Sequence, residues 1–283
     1  LMLPAVIGLS ATQITIFINT NFASSCIEGS VSWLNYAFRL VQLPIGLFGV
    51  AISIAALPVL AKYAAKKDFE NVRDTFASSL TMVFCLTIPA TFGLIILAEP
   101  IIRVIFEHGA FTSADTHATA LALSLYAVGL FAYSANKVIV PVFYTVNATR
   151  YPVIGSFAAI AVNILIISST IELFQHKAIA LSTSVTMILN FLFLAAVLYY
   201  KIGGYSLHYL FLGFVKILAA AIVMAVILLL SCSALGDMST SSTVVQCGLL
   251  AVLVTGGAFA YVCTLNVMKL PELTMLIGKI QTK

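Results

Sequence analysis

The sequence predicts an all-α, polytopic membrane protein with about eight transmembrane helices. Three observations carry that expectation. Of 283 residues, 61% are hydrophobic and 8% charged, with a mean hydropathy of +1.11, whereas soluble domains carry about 25% charged residues. The apolar residues fall into eight runs long enough to cross a bilayer. The basic residues crowd into alternate connections, most of them on one side. This composition excludes a soluble enzyme and a disordered tail. The net charge of +4, from 14 basic and 10 acidic residues, leaves no electrostatic footprint for nucleic acid.

In chain order the runs are segment A at 2–23, B at 31–61, C at 75–98, D at 118–144, E at 152–171, F at 178–200, G at 209–231 and H at 244–268. Inside a bilayer every backbone group must pair within the chain, so segments this apolar are helices. The breaks carry ordinary stop signals. A short polar stretch with Glu28 and Gly29 ends A, Lys201, Gly203 and Gly204 end F, and 236–243 separates G from H. Two connections read as more than linkers. At 62–74, Lys62, Lys66, Lys67 and Arg73 alternate with Asp68, Glu70 and Asp74 around Tyr63, Phe69 and Val72, which predicts a short helix lying on the membrane surface. At 99–117, Ile101, Ile102, Val104, Ile105 and Phe106 followed by Gly109 predict a second in-plane helix and a turn. The chain opens at Leu1 inside an apolar run with no basic region before it, which reads as a chain cut from something longer and not as a signal peptide.

Orientation follows from the basic residues. The side holding the A–B connection, side one, has Arg103 and Lys177. Side two has Lys62, Lys66, Lys67, Arg73, Arg150, Lys201, Lys216, Lys269, Lys279 and Lys283, which makes it the cytoplasmic side, with both ends of the chain. Cys26, Cys85, Cys232, Cys247 and Cys263 form no CxxC pair and no metal-ligand spacing with histidine; a Cys26–Cys232 bridge is conceivable.

All ten acids, including Asp115, Glu172, Asp237 and Glu272, and the histidines His108, His117, His176 and His208 fall in loops or at segment ends. The spans therefore lack the acid–histidine clusters of a membrane hydrolase or metalloenzyme, and no enzyme is expected. Two cations do lie within spans. Arg39 is eight residues into segment B, about 12 Å deep in a core about 30 Å thick. A guanidinium there is costly, so it should face a watery cavity or an anion, and its planar fork suits a diphosphate; an arginine paired to carbonyls is the bland alternative. Lys137 lies about seven residues from the inner end of segment D and either joins that cavity or snorkels to the interface. Pro44 and Gly46 interrupt segment B past Arg39, a hinge of the kind that marks transporter sites or a passive kink. Asn19, Asn21, Asn136, Asn163 and Asn190, with Thr183, read as glue between helices or as oxygen ligands for a hard cation.

These residues carry a resemblance. Tyr36-Ala37-Phe38-Arg39-Leu40, with Gln42-Leu43-Pro44-Ile45-Gly46-Leu47-Phe48-Gly49-Val50-Ala51 and Leu57-Pro58, is similar to a run of the MurJ (MviN) family of lipid II flippases, within the superfamily of multidrug and oligosaccharidyl-lipid transporters. Ile105-Phe106-Glu107-His108-Gly109-Ala110-Phe111-Thr112, and Val140-Pro141-Val142-Phe143-Tyr144 with Thr149-Arg150-Tyr151-Pro152, are similar to two more. The resemblance spans nearly the whole chain. It implies the last eight of fourteen helices: a second six-helix lobe at 1–200, then two extra helices at 201–283 that form a lipid-tail groove, with a short cytoplasmic tail and the first lobe missing. It implies outward flipping of undecaprenyl-diphosphate-linked lipid II across the bacterial inner membrane by alternating access, with lipid II and membrane lipids as partners. Arg39 falls on the family's cavity arginine, with Phe38 where an Asp usually precedes it. The resemblance also implies a sodium site, whose ligands fall on Asn19, Asn163, the Ile179 carbonyl and the Thr183 hydroxyl. Its two acids are replaced by Asn19 and Ile167, so membrane potential is the alternative drive. The remaining alternatives are a related transporter of another polyprenyl-linked sugar or of drugs, and a non-transporting membrane scaffold.

Overall fold

The computed structural model describes residues 2–235 and 243–268. Lys269, Lys279, Lys283, Asp237, Glu272, the 236–242 connection and the expected tail lie outside the described residues. Among the described residues the chain is all-helical: α1 (Met2–Ser24), α2 (Ser30–Pro44), a π-helical turn (Ile45–Val50), α3 (Ala51–Ala65), α4 (Phe69–Ile96), α5 (Ala98–Phe106), α6 (Ser113–Val128), α7 (Leu130–Thr145), α8 (Arg150–Phe174), α9 (His176–Lys201), α10 (Leu207–Leu235) and α11 (Thr243–Val267). Six helices are long and apolar enough to cross a membrane, and α6 with α7 makes a seventh if the bent pair is one span. The eighth expected span is α1, a 23-residue helix outside that count of the described residues.

Segment B forms as a single run, Ser30–Ala65, despite Pro44 and Pro58. Pro44 has no N–H and its ring crowds the carbonyl four residues back. The helix widens by one π turn directly after it, then resumes at Ala51. Segment D is not the straight helix expected. It begins at Ser113 and bends by 43° at Gly129. There α9 comes so close that a Cβ on Gly129 would sit 2.8 Å from the Ser184 Cα. The Ser184 hydroxyl donates to the Leu125 carbonyl at 2.6 Å, taking up an acceptor beside the bend. A second close crossing brings Gly49 against Ser134, where a Cβ would meet the Ser134 Cα at 2.9 Å. Small residues at such crossings let backbones approach where lipid gives no hydrophobic drive.

The surface helix expected at 62–74 is absent. α3 runs on to Ala65, a tight turn through Lys67 (φ 56°) follows, and α4 starts at Phe69. Asp68 caps α4 by accepting from the Asn71 N–H, and Val72 and Phe76 are fully buried. The apolar residues of this stretch thus serve as the first turns of a span. The second short helix does form: α5 follows α4 across Leu97, buries Ala98 and Ile102, and packs on α6 and α11. A capping box then opens α6, with Thr112 and Asp115 bonding reciprocally.

Two apolar cores result. One gathers Leu34, Ala37, Val41, Ile102, Leu123 and Tyr126 with Ile167 and Ile179 at the side-one end. The other joins α3, α4, α7 and the end of α9 to α10 and α11. α10 lies along α4, and the Tyr261 hydroxyl of α11 donates to the Cys85 carbonyl of α4 at 2.7 Å, so the last two helices are built onto the lobe. At side one, Trp33 donates to Asp115 at 2.8 Å and its ring meets His176 edge-on at 5.0 Å, tying together the starts of α2, α6 and α9. At side two, Arg73 donates to the Gly203 and Gly204 carbonyls. The cysteines form no disulfide among the described residues, so the Cys26–Cys232 bridge is not made.

Candidate functional site

Arg39 sits nine residues past the start of α2, about 14 Å along the helix. It lies on the face turned away from Leu34, Ala37 and Val41, which are buried, and is itself exposed. Among the described residues its guanidinium has no hydrogen-bond or ion-pair partner. Asn35, one turn before, and Gln42, one turn after, are exposed on the same face. Asn35 donates its amide to the Val31 carbonyl at 2.8 Å. The sequence reading missed both amides, although their spacing of four and three residues from Arg39 puts them on one helical stripe.

Lys137 is exposed on α7, one turn beyond Tyr133, whose ring meets that of Phe38, the neighbour of Arg39, at 6.2 Å. The two cations are not brought together. Gly49 crosses at Ser134, and Ser53, four residues on, donates to the Lys137 carbonyl at 2.6 Å, so the two helices run in the same direction. From that crossing Arg39 lies about 15 Å toward side one and Lys137 about 5 Å toward side two, at about 1.5 Å per residue. Pro44 and Gly46 lie between the two levels, at the start of the π turn; Pro44 is buried and Gly46 exposed, with open space where a Cβ would be.

The second set of residues does converge. Asn163 donates its amide to Asn19 Oδ1 at 2.7 Å. Asn19 donates to Thr183 Oγ1 at 3.1 Å, and Thr183 donates to the Ile179 carbonyl at 2.7 Å. One chain of hydrogen bonds thereby links α1, α8 and α9. Asn163 is 1% exposed and Thr183 3%, and Ile167, one turn beyond Asn163, is fully buried. Asn163 Oδ1 is buried with no partner. Of the other amides, Asn136 donates to the Met187 carbonyl at 3.3 Å and glues α7 to α9, Asn190 rests its Oδ1 against Gly155, and Asn21 is exposed. Among the described residues no group of three histidine, cysteine or carboxylate side chains is placed to hold a metal ion.

Among the described residues the arrangement offers an unpaired guanidinium flanked by amides on a long apolar span. Comparison with known proteins identifies the family. A family model described as lipid II flippase MurJ matches residues 1–247. A probable lipid II flippase MurJ of Bdellovibrio bacteriovorus is 36% identical over 197 residues, covering 70% of this chain and 38% of that protein. One of Buchnera aphidicola is 36% identical over 228 residues, covering 80% and 44%. One of Thermotoga maritima is 33% identical over 282 residues, covering 96% and 53%. The chain thus spans about half the length, or less, of these relatives. Among solved structures, a lipid II flippase MurJ in an inward closed conformation superimposes with a TM-score of 0.76 at 27% identity, over 94% of this chain and 53% of that one. An outward-facing multidrug transporter of the MATE family shares the fold, with a TM-score of 0.61 at 15% identity, over 94% and 65%.

Proposed function

The chain belongs to the lipid II flippase MurJ family, and from that premise we propose that it is part of a transporter moving undecaprenyl-diphosphate-linked peptidoglycan precursor to the outer leaflet of the bacterial inner membrane. The observation that carries this reading is Arg39. A cation on a membrane-spanning helix is normally paired within the protein; this one is exposed and has no partner among the described residues. Two phosphate oxygens would give it the bidentate contact a guanidinium is shaped for. Asn35 and Gln42 would bond the hydroxyls and amides of the sugar and peptide beside the diphosphate. Lys137, about 20 Å nearer side two by helical rise, would meet the headgroup at a different depth from Arg39.

No bond is made or broken in this reading. α1 to α9 form the second lobe and rock against a first lobe outside this chain, with Pro44 and the π turn absorbing the change. α10 and α11 form the groove for the polyprenyl tail; their exposed apolar side chains, among them Phe211, Val226, Leu230, Val252 and Phe259, suit that contact. Side two, with its lysines, faces the cytoplasm. Membrane potential acts on the cations with about 2.3 kcal/mol per charge per 100 mV.

The test is made with the full-length gene in a bacterium depleted of its own flippase, by quantifying precursor lipid at the outer leaflet. Rescue by wild type with loss in Arg39→Ala is the expected result. Failure of the well-expressed wild type to rescue would point to another lipid-linked cargo, and rescue by both would remove Arg39 from the mechanism.

A further inference from the structure

The family resemblance implies a sodium site at Asn19, Asn163, Ile179 and Thr183, and those residues do meet. They do not fit the ion. A hard cation is held by several oxygens turned toward it, commonly with carboxylates among them. Here four neutral oxygens are available, and three are already engaged: Asn19 Oδ1 accepts from Asn163, Thr183 Oγ1 accepts from Asn19, and the Ile179 carbonyl accepts from Thr183. The bonds all run in one direction, from Asn163 to the Ile179 carbonyl. The amide hydrogens therefore lie between the oxygens, and a cation placed there would face the positive ends of N–H dipoles.

No carboxylate near the junction on these three helices offsets this. α1 and α9 contain no carboxylate, and the one acid of α8, Glu172, lies nine residues beyond Asn163, about 14 Å along the helix. The side chain one turn after Asn163 is Ile167, which is wholly buried and apolar. Asn163 Oδ1 is the one oxygen of the four left without a donor. One neutral oxygen can take a water's hydrogen; it cannot replace the water shell of an ion.

We propose that the α1–α8–α9 junction of this protein is a sodium-independent latch, holding three helices by neutral hydrogen bonds and binding no cation. Its consequence for transport, that no sodium gradient drives it, rests on the transporter reading above. The latch itself does not, so it is tested without lipid. The purified full-length protein is melted in sodium chloride and in potassium chloride at equal ionic strength. A bound ion at a hundred times its Kd would raise the folded-to-unfolded ratio about a hundredfold. The expected result is one melting temperature in both salts. A saturable rise in sodium alone would overturn the proposal. Asn163→Leu should lower the melting temperature by the same amount in the two salts; a loss confined to sodium would also overturn it. The double variant Asn19→Asp with Ile167→Asp supplies the two carboxylates and should gain a sodium-dependent rise. If it folds and gains none, the charge argument behind the latch fails. Should it not fold, the wild-type melts still decide. Sodium-independent melting with no lipid transport would leave the latch standing and remove only the transporter reading.

Discussion

Asn163 and Arg39 are both polar groups on membrane-spanning helices, and the protein treats them in opposite ways. Asn163 is 1% exposed, and its amide donates to Asn19 in a chain that ends on a backbone carbonyl. Arg39 is exposed and has no partner among the described residues. An amide N–H that holds helices together finds its acceptor inside the protein, because leaving it unpaired in an apolar setting costs several kcal/mol. A group meant for a passing ligand has to be left without one. The difference separates glue from site without reference to any relative, and each substitution below is a way to test that separation.

The largest effect is expected at Arg39. Hydrogen bonds to charged groups contribute about 1.5–3 kcal/mol, so Arg39→Ala should lower transport by roughly 10- to 100-fold. Its melting temperature should stay near wild type, since an unpartnered side chain removes no internal contact. Arg39→Lys keeps the charge and loses the fork, and should recover part of the activity. A melting temperature that fell along with activity in Arg39→Ala would put Arg39 in the same class as Asn163 and break the comparison.

The next effects are structural. Gly129→Ala puts a Cβ 2.8 Å from the Ser184 Cα, and the backbone cannot yield without opening the α6–α9 crossing. Overpacking of this kind costs about 1–3 kcal/mol. Asn163→Leu leaves Asn19 Oδ1 without its donor, at about 1–3 kcal/mol for a buried unpaired group. Thermal melts of the two variants should therefore fall by similar amounts. Transport per folded molecule should fall less in Asn163→Leu than in Arg39→Ala; an equal loss would mean that the latch moves during the cycle.

The hydropathy pattern alone placed all eight apolar segments on helices, because span length and apolar runs are properties of consecutive residues. The charged stretch at 62–74 misled it. Lysines alternating with acids look like a surface helix, and only the tertiary burial of Val72 and Phe76 makes that stretch the start of α4. The bend at Gly129 was equally hidden, since a glycine within a helix is tolerated and gains meaning only from Ser184 on another element. The convergence of Asn19, Asn163 and Thr183 was legible through family resemblance, not from spacing: 144 residues separate the two asparagines. Asn35 and Gln42 could have been read from helical spacing alone. The level of Lys137 relative to Arg39 could not, because it depends on which residues cross at Gly49.

Lys137 gives the smallest expected effect and the sharpest version of the comparison, since it has a share in both classes. Its side chain is exposed and unpartnered like that of Arg39, while its backbone carbonyl accepts from Ser53 at 2.6 Å and helps fix α7 against α3. Truncating the side chain leaves that backbone bond intact, so Lys137→Ala should melt within about 0.5 kcal/mol of wild type. Its ammonium is a hydrated point charge with a flexible stem and no fork. It lies about 20 Å along the helices from Arg39, so the two cannot grip one diphosphate together. Loss of Lys137 should therefore lower transport only a few-fold, and Arg39→Ala/Lys137→Ala should show the product of the two single effects, as independent contacts do. A double variant no worse than Arg39→Ala would instead mean that both cations act on a single bound state, and that the helices close the distance between them during transport.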